Sequence, residues 1–371
     1  MANVQQAAAE EYDVRRYRPA DRDGFLSLYE AVWGRSKGRE WFDWRFAENP
    51  YADRVEIIVA ERRGEVVGAE PLLAFPLASA EGTVTARQPV DWIVHPDHRR
   101  RGLFTRMTEE LLSTAADRTS VLFNFPSEVL RPGLQKFEWT ELGSVSTRYR
   151  IQNLTRFAPD DDGASARVAR AAASAGSPVV RACLGAIDRV TPTSDGIEVD
   201  RVEGIATSAV RAVYGETRPE EIHVPRQEAF LAWRFANPRW KTTTYVARDG
   251  GRPVVTLVAA TERVGESVLT RLLDAQPMVT DAARKPAFEA ALAALVSDHA
   301  TADCLEASTT PFPGVLRRHG FLSDAGFPLD RVATPTTHAV RSLSPDAETA
   351  LGADVLAADN WILSLADRDV A

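Results

Sequence analysis

Residues 90–107, "VDWIVHPDHRRRGLFTRM", change character at Pro96. Before it, Trp92, Ile93 and Val94 have the aromatic and β-branched content of a strand, and Pro96 ends that strand. After it, Phe104, Met107, Leu111 and Ala115 recur at helical spacing, so a helix begins near Arg101–Gly102. Arg99, Arg100 and Arg101 therefore fall in a strand-to-helix turn. A helix start offers unpaired N–H groups and a partial positive charge, and both suit a phosphate. Gly102 permits close backbone approach, Thr105 adds a hydroxyl, and arginines add charge-assisted hydrogen bonds.

On either side of this turn the spacing predicts helices over about 21–33 and 39–47. Strands follow over about 55–61, 65–76 and 84–94, then the helix near 101–116. A strand at 120–125, a helix at 129–137 and a strand at 144–154 complete the unit. Antiparallel strands followed by a strand–helix–strand crossover make an α+β fold, a mixed and mostly antiparallel sheet flanked by helices.

The second half repeats this layout. "FDWRFAENPY" (42–51) is answered by "LAWRFANPRW" (231–240), and both carry Trp-Arg-Phe-Ala ahead of an Asn-Pro. Upstream, "FLSLYEAVWG" (25–34) parallels "ATSAVRAVYG" (206–215). Downstream, strand–turn–strand segments match, and "PGLQKFEW" (132–139) parallels "GVLRRHGF" (314–321). Four matches in one order indicate a tandem duplication. The expected domains are 1–155, a linker with a short helix at 156–196, a second unit at 197–336, and a tail at 337–371. The tail is expected to pack on the second unit through Trp361, Ile362 and Leu363. The second copy lacks the phosphate turn: "LLDAQPMVTDAARKPAFEAALAAL" (272–295) has neither the glycine nor the arginine triplet.

Composition narrows the function. The chain has 371 residues, a net charge of −8 and two cysteines. The acidic balance argues against a nucleic-acid partner. Two cysteines and no His/Cys cluster at ligand spacing argue against a metal. Apolar runs too short for a membrane span and a polar N-terminus lead to a cytoplasmic expectation. A tandem pair already buries what a dimer would, so a monomer is expected.

The turn resembles the acyl-CoA-binding signature of the GNAT N-acetyltransferase superfamily, Arg/Gln-x-x-Gly-x-Gly/Ala after a strand ending in Val-x-Pro. Here it reads Arg99-Arg100-Arg101-Gly102-Leu103-Phe104 after Val94-His95-Pro96, and the element order of residues 12–155 is also the superfamily's. The resemblance implies two tandem GNAT-like domains, the second degenerate, and an acyl-CoA-dependent N-acyltransferase using acetyl-CoA as co-substrate. It implies that the backbone of Trp92, Ile93 and Val94 pairs with the pantetheine arm. Arg99, Arg100, Arg101, Gly102, Leu103, Phe104 and Thr105 would hold the pyrophosphate, with Asn124 and Ser127 near the acyl end or the arm. Arg45, Asn49 and Tyr51 would line the acceptor wall. Phe104 replaces a small residue, so its side chain must turn into the core. Leu134 stands where the family often has its acid, a tyrosine.

Transfer to an amine needs a base for the ammonium and an acid for the thiolate. Asp91 and Glu70 are the candidate bases, and Tyr149 is a candidate acid. The acceptor is a small-molecule or peptide amine. A catalytically silent acyl-CoA-binding module is the competing reading. An aminoacyl-tRNA-dependent transferase is a third, disfavoured by the charge.

Overall fold

The computed structural model describes residues 12–157, 164–190, 196–308 and 311–369. The first half begins with β1 (Asp13–Arg16), α1 (Arg22–Trp33) and α2 (Arg39–Phe42), which widens into a π turn at Asp43–Ala47. Strands β2 (Glu56–Arg62), β3 (Glu65–Ala78), β4 (Thr83–Pro89) and β5 (Ile93–Val94) lead to α3 (Leu103–Ala115). Then come β6 (Val121–Asn124), α4 (Arg131–Gln135), β7 (Thr140–Val145) and β8 (Thr147–Ile151). A helix, α5 (Ala164–Val190), connects to the second half; at 27 residues it is not the short helix expected of the linker.

The second half runs β9 (Ile197–Glu203), α6 (Thr207–Glu216), α7 (Glu228–Arg234), β10 (Lys241–Asp249), β11 (Arg252–Val264) and β12 (Ser267–Gln276). It continues with α8 (Lys285–Asp298), β13 (Cys304–Ser308), α9 (Pro313–Arg318) and β14 (Leu322–Ser323). The tail supplies β15 (Thr336–Ser342) and α10 (Asp346–Leu351).

The helices form where the apolar spacing places them. In α3, Leu103, Met107, Leu111 and Ala115 are all buried against β2 and β3. α1 buries Phe25, Leu28 and Tyr29, and stops at Gly34, whose φ of 66° lets its N–H bond the Glu30 carbonyl.

The strands form two sheets that do not follow the halves of the chain. The first has the order β1-β2-β3-β4-β6-β15-β7, with β5 beside β3; the second has β14-β8-β13-β12-β11-β10-β9. The halves have exchanged strands. β8 leaves the first unit to lie between β13 and β14, with Tyr149 opposite Glu306 and Leu322. β15 returns from the tail to lie between β6 and β7, with Ala339 opposite Asn124. Residues 144–154 are therefore not one strand of the first sheet, and a boundary at 155 does not separate the two units. Asp324 catches the crossing chain, accepting from the Thr147 N–H at 3.0 Å on both oxygens.

The tail also does not pack on the second unit alone. Ser79 donates to the Leu351 carbonyl, and Gln88 to the Asp367 carbonyl at 3.0 Å. From the second half, Arg226 donates to Asp367 at 2.8 Å and Arg234 to the Ala366 carbonyl at 2.7 Å. Leu363 is buried, while Trp361 and Ile362 are half-buried; the Trp361 ring lies against Phe123 and His338 of the first sheet. The tail fills the seam between the sheets.

The repeated Trp-Arg-Phe-Ala segments meet across that seam. Trp44 Nε1 donates to the Trp233 carbonyl at 2.6 Å, and Trp233 Nε1 to the Trp44 carbonyl at 2.7 Å, with the rings stacked. A reciprocal pair of this kind is what an isologous contact produces. One apolar cluster runs through it, from Phe25, Trp41 and Phe75 to Phe230, Trp233 and Leu273. The two units share this core as well as the exchanged strands.

Candidate functional site

β4 and β6 run parallel only at Ala86–Val121 and Arg87–Leu122. Beyond that the chain kinks through Val90, Asp91 and Trp92, with Asp91 in the left-handed region at φ 47°, and resumes as β5. Ile93 pairs with Ala69, Val94 with Gly68, and the His95 N–H donates to the Val67 carbonyl. Antiparallel alternation turns the Val94 N–H and carbonyl away from β3, toward the gap before β6. The Val94 carbonyl there accepts from Arg99 Nε at 3.1 Å.

Next comes the arginine turn. His95 accepts from the Asp97 N–H and starts a single 3₁₀ turn, Pro96–His98. Arg100 adopts φ 60° and Gly102 φ 75°, so the backbone curls as a concave nest ahead of α3. A Cβ at Gly102 would meet nothing within 4 Å; the concavity is open. Among the described residues the N–H groups of Leu103, Phe104 and Thr105 bond no backbone carbonyl. Arg99, Arg100 and Arg101 are exposed around it. This geometry suits a pyrophosphate: oriented donors, the positive end of a 13-residue helix, and exposed guanidiniums.

Phe104 does not turn into the core. Its ring is half-buried between Trp92 and Phe137 and against Gly133 of α4, which still keeps it off the open side of the turn. Leu134, in the place of the family's tyrosine, is buried. Asn124 ends β6, buried, its Oδ1 accepting from the Phe125 N–H at 2.6 Å. Ser127 is exposed, and its carbonyl accepts from Leu130 and Arg131 at the start of α4.

The expected catalytic residues separate. Asp91 faces the seam, on the sheet face opposite Trp92 and Val94. Tyr29 OH donates to it at 3.4 Å, and Arg45 Nη2 lies 3.0 Å from Oδ2. Burial pushes the Asp91 carboxyl up to about 6, with Arg45 pulling it down and Asp369 pushing it further up. Such a carboxyl is ionised at neutral pH yet basic enough to take a proton. Burial, and then Asp91, raise the Tyr29 phenol, so it keeps its proton and acts as a donor.

Glu70 does not lie beside Asp91. It is fully buried under α3, where its carboxyl meets Thr108 Oγ1 at 3.1 Å. Thr108 Oγ1 donates to both carboxyl oxygens and also lies 2.9 Å from the Phe104 carbonyl; burial pushes the Glu70 pKa well up. It is a structural acid. Tyr149 leaves with β8 for the second sheet, where burial raises it to about 12.

The expected acceptor wall is also corrected. Arg45 is completely buried and bridges Asp91 and Asp369, so it orients the carboxylate rather than touching substrate. Asn49 is buried in a turn, donating to the Ala74 carbonyl at 3.1 Å and accepting from the Tyr51 N–H. Tyr51 donates across the seam to Gln227 at 3.2 Å. Tyr29, Lys37 and Asp369 are neighbours of Asp91 that the sequence did not announce. The one available hint was the arginine repeated inside each apolar Trp-Arg-Phe-Ala.

A cavity of about 120 Å³ lined by Arg16, Tyr17, Arg87 and Arg118 lies at the far end of α3 from this turn. Asp91 and the arginine turn do not line it. Among the described residues no group of His, Cys, Asp and Glu could hold a metal ion, and no helix is long and apolar enough to cross a membrane.

Fold and site thus define a tandem α+β protein with an open, arginine-flanked strand-to-helix turn in its first half. Residues 13–142 match the family model for an acetyltransferase (GNAT) domain, and this chain is a tandem GNAT-fold protein whose second unit lacks the turn. Solved structures share the fold at low identity. A GCN5-related N-acetyltransferase from Anabaena variabilis ATCC 29413 superposes with a TM-score of 0.59 at 11% identity, over 90% of this chain and 73% of that one. A tandem GNAT protein from the clavulanic acid biosynthesis pathway gives 0.56 at 13%, over 90% and 99%. Eis1 from Mycobacterium abscessus gives 0.51 at 15%, over 92% and 75%. No curated protein matches the chain in sequence.

Proposed function

We propose that the chain is an acyl-CoA-dependent N-acyltransferase, with acetyl-CoA as donor and a primary amine as acceptor. One observation carries the reading: the open turn at Gly102 and the basic carboxyl of Asp91 sit at opposite ends of the same short strand, β5. A ligand with a pyrophosphate at one end and a reactive carbonyl at the other is what such a strand can align.

Acyl-CoA supplies the thioester. Gly102, Leu103, Phe104 and Thr105 would hold the pyrophosphate with backbone N–H groups, and Arg99, Arg100 and Arg101 would neutralise it. The outward Val94 N–H and carbonyl would align the pantetheine arm as an added strand, and that N–H is the donor available to the oxyanion. Trp92 and Ile93 hold β5 in place. Asn124 and Ser127 would border the arm across the gap. Asp91 would take the proton from the acceptor ammonium, kept in orientation by Arg45 and Tyr29.

Leu134 favours a second reading, an acyl-CoA-binding module without turnover, because it leaves no tyrosine above the thiolate. Two measurements separate them. A thermal-shift series with acetyl-CoA, longer acyl-CoAs and free CoA reads binding; thiol release with an amine panel reads turnover. Stabilisation together with amine-dependent thiol release supports the enzyme, and stabilisation without release supports the module. No stabilisation by any CoA species sinks both.

A further inference from the structure

We infer that the chain holds a second ligand site at the C-terminal end of α3, one that takes a small carboxylate with an apolar body. It is independent of the acyltransferase reading. The site is the cavity of about 120 Å³ that neither Asp91 nor the arginine turn lines. One water needs roughly 10–15 Å³, and a cavity of roughly 150 Å³ takes up benzene, so the space suits a small organic molecule. Its floor is apolar: Ile58, Leu72 and Ala115 line it and belong to the buried cluster under α3. Strand register sets polar side chains beside that floor. Arg16 lies opposite Ile58, and Glu56 opposite Leu72, and such partners share a face of the sheet.

Charge decides what the molecule must carry. Four guanidiniums border the cavity, those of Arg16, Arg54, Arg87 and Arg118, against one carboxylate, Glu56. Arg87 Nε donates to Glu56 at 2.6 Å, and Arg118 Nε lies 3.3 Å from it. Arg118 also holds Asp53, just outside the lining, and Arg54 acts on that same carboxylate. Two carboxylates are thus divided among three arginines. The fourth, Arg16, is exposed, and its side chain makes no hydrogen bond or ion pair among the described residues. Asp21 and Asp43, whose charges reach Tyr17, are already bound by Arg15 at 2.7 Å and Arg22 at 2.8 Å. Positive charge is left in excess. The end of α3 would disfavour an anion, but its Ala115 carbonyl is taken by the Arg118 and Thr119 N–H groups at 2.8 and 3.0 Å. Tyr17 lines the same space, and burial pushes its phenol up to about 12, so it keeps a proton to donate. A neutral apolar molecule would leave the guanidiniums unanswered, and a bare inorganic anion would leave the floor uncovered. A carboxylate on an apolar body answers both.

The test uses the full chain without CoA. Benzoate, phenylacetate and isovalerate are each titrated beside the matching amide, with inorganic phosphate as a further probe, by thermal shift and calorimetry. At least one acid should bind saturably, in the millimolar range or tighter, and roughly tenfold better than its amide or phosphate. The double variant Arg16→Gln, Arg54→Gln should weaken that acid roughly tenfold, and the unliganded Tm should move little because both side chains are exposed. Ala115→Leu, which fills the floor, should remove binding. Gly102→Glu should leave it intact, since that turn lies at the other end of α3. No saturable binding of any acid overturns the inference. So does equal binding of the amides or of phosphate, an affinity unchanged in the double variant, or binding that survives Ala115→Leu in a folded chain. Loss of binding in Gly102→Glu also overturns it, because the anion would then sit on the arginine turn.

Discussion

The heads of α3 and α8 occupy matching places in two copies of one fold and treat negative charge in opposite ways. At α3 the turn is open: Gly102 at φ 75° has space around it, and the first-turn N–H groups bond no backbone carbonyl among the described residues. Ahead of α8 the chain enters through a 3₁₀ turn, Ala282–Arg284, and supplies its own anion there. Asp281 accepts from the Ala283 N–H at 3.0 Å and holds Arg284 at 3.1 Å. Arg284 is bound further by Glu216 at 2.9 Å and by the Val254 carbonyl at 2.7 Å. The preceding strands differ in the same sense. β12 runs ten residues without a left-handed kink, whereas β4 breaks at Asp91 before β5. A helix start left unanswered by its own sequence can take an anion. The duplicated unit retained the scaffold without the open turn.

The strongest way to break this contrast is to write the second head into the first. Gly102→Glu places a carboxylate in the nest at a backbone angle that disfavours a side chain, and CoA binding should weaken by on the order of 100-fold or more. Loss of CoA-dependent thermal stabilisation, with the unliganded Tm little moved, is the expected reading.

Asp91→Asn sharpens the contrast at the other end of β5. Thiol release should fall by about 10²–10⁴ while CoA stabilisation persists. In the wild type the base is active only when ionised, so kcat/KM should rise with pH through about 6; the variant should lose that limb. Stability from the same group runs the other way. Because its folded pKa is raised, the protonated form is favoured on folding, and this contribution fades as pH rises through about 6.

Smaller effects follow in the second head and under α3. Asp281→Ala should cost about 1 kcal/mol by losing a helix-start acceptor, seen as a lower Tm. It should create no CoA site, since Glu216 still holds Arg284. Glu70→Gln should change turnover by less than about twofold, and Tm only slightly, because the amide oxygen can still accept from Thr108.

Much of this was legible in the sequence. Arg99–Gly102 announces its turn locally, since proline, glycine and the helical period are all within reach of one another. The two Trp-Arg-Phe-Ala segments announce the duplication, and their contact across the seam is long-range but symmetric. The strand exchange was not legible. "TRYRI" at 147–151 alternates as suitably for one sheet as for the other, and its partners Cys304–Ser308 lie about half the chain away. Nor was the face of Glu70, because the register of β2 and β3 shifts at Ala60/Glu61. Around Asp91, the Tyr29, Lys37, Arg45 and Asp369 side chains come from separate elements, with Asp369 at the far end of the chain. No local pattern joins them. Arg45 and Arg234 were readable only as a repeated cation in an apolar setting, and both are fully buried.

The central claim is that one turn of two binds acyl-CoA. Calorimetric titration of the full chain with CoA tests it most directly. The account predicts one site per chain, lost in Gly102→Glu and kept in Asp281→Ala. Two sites, or one that survives Gly102→Glu, would contradict it.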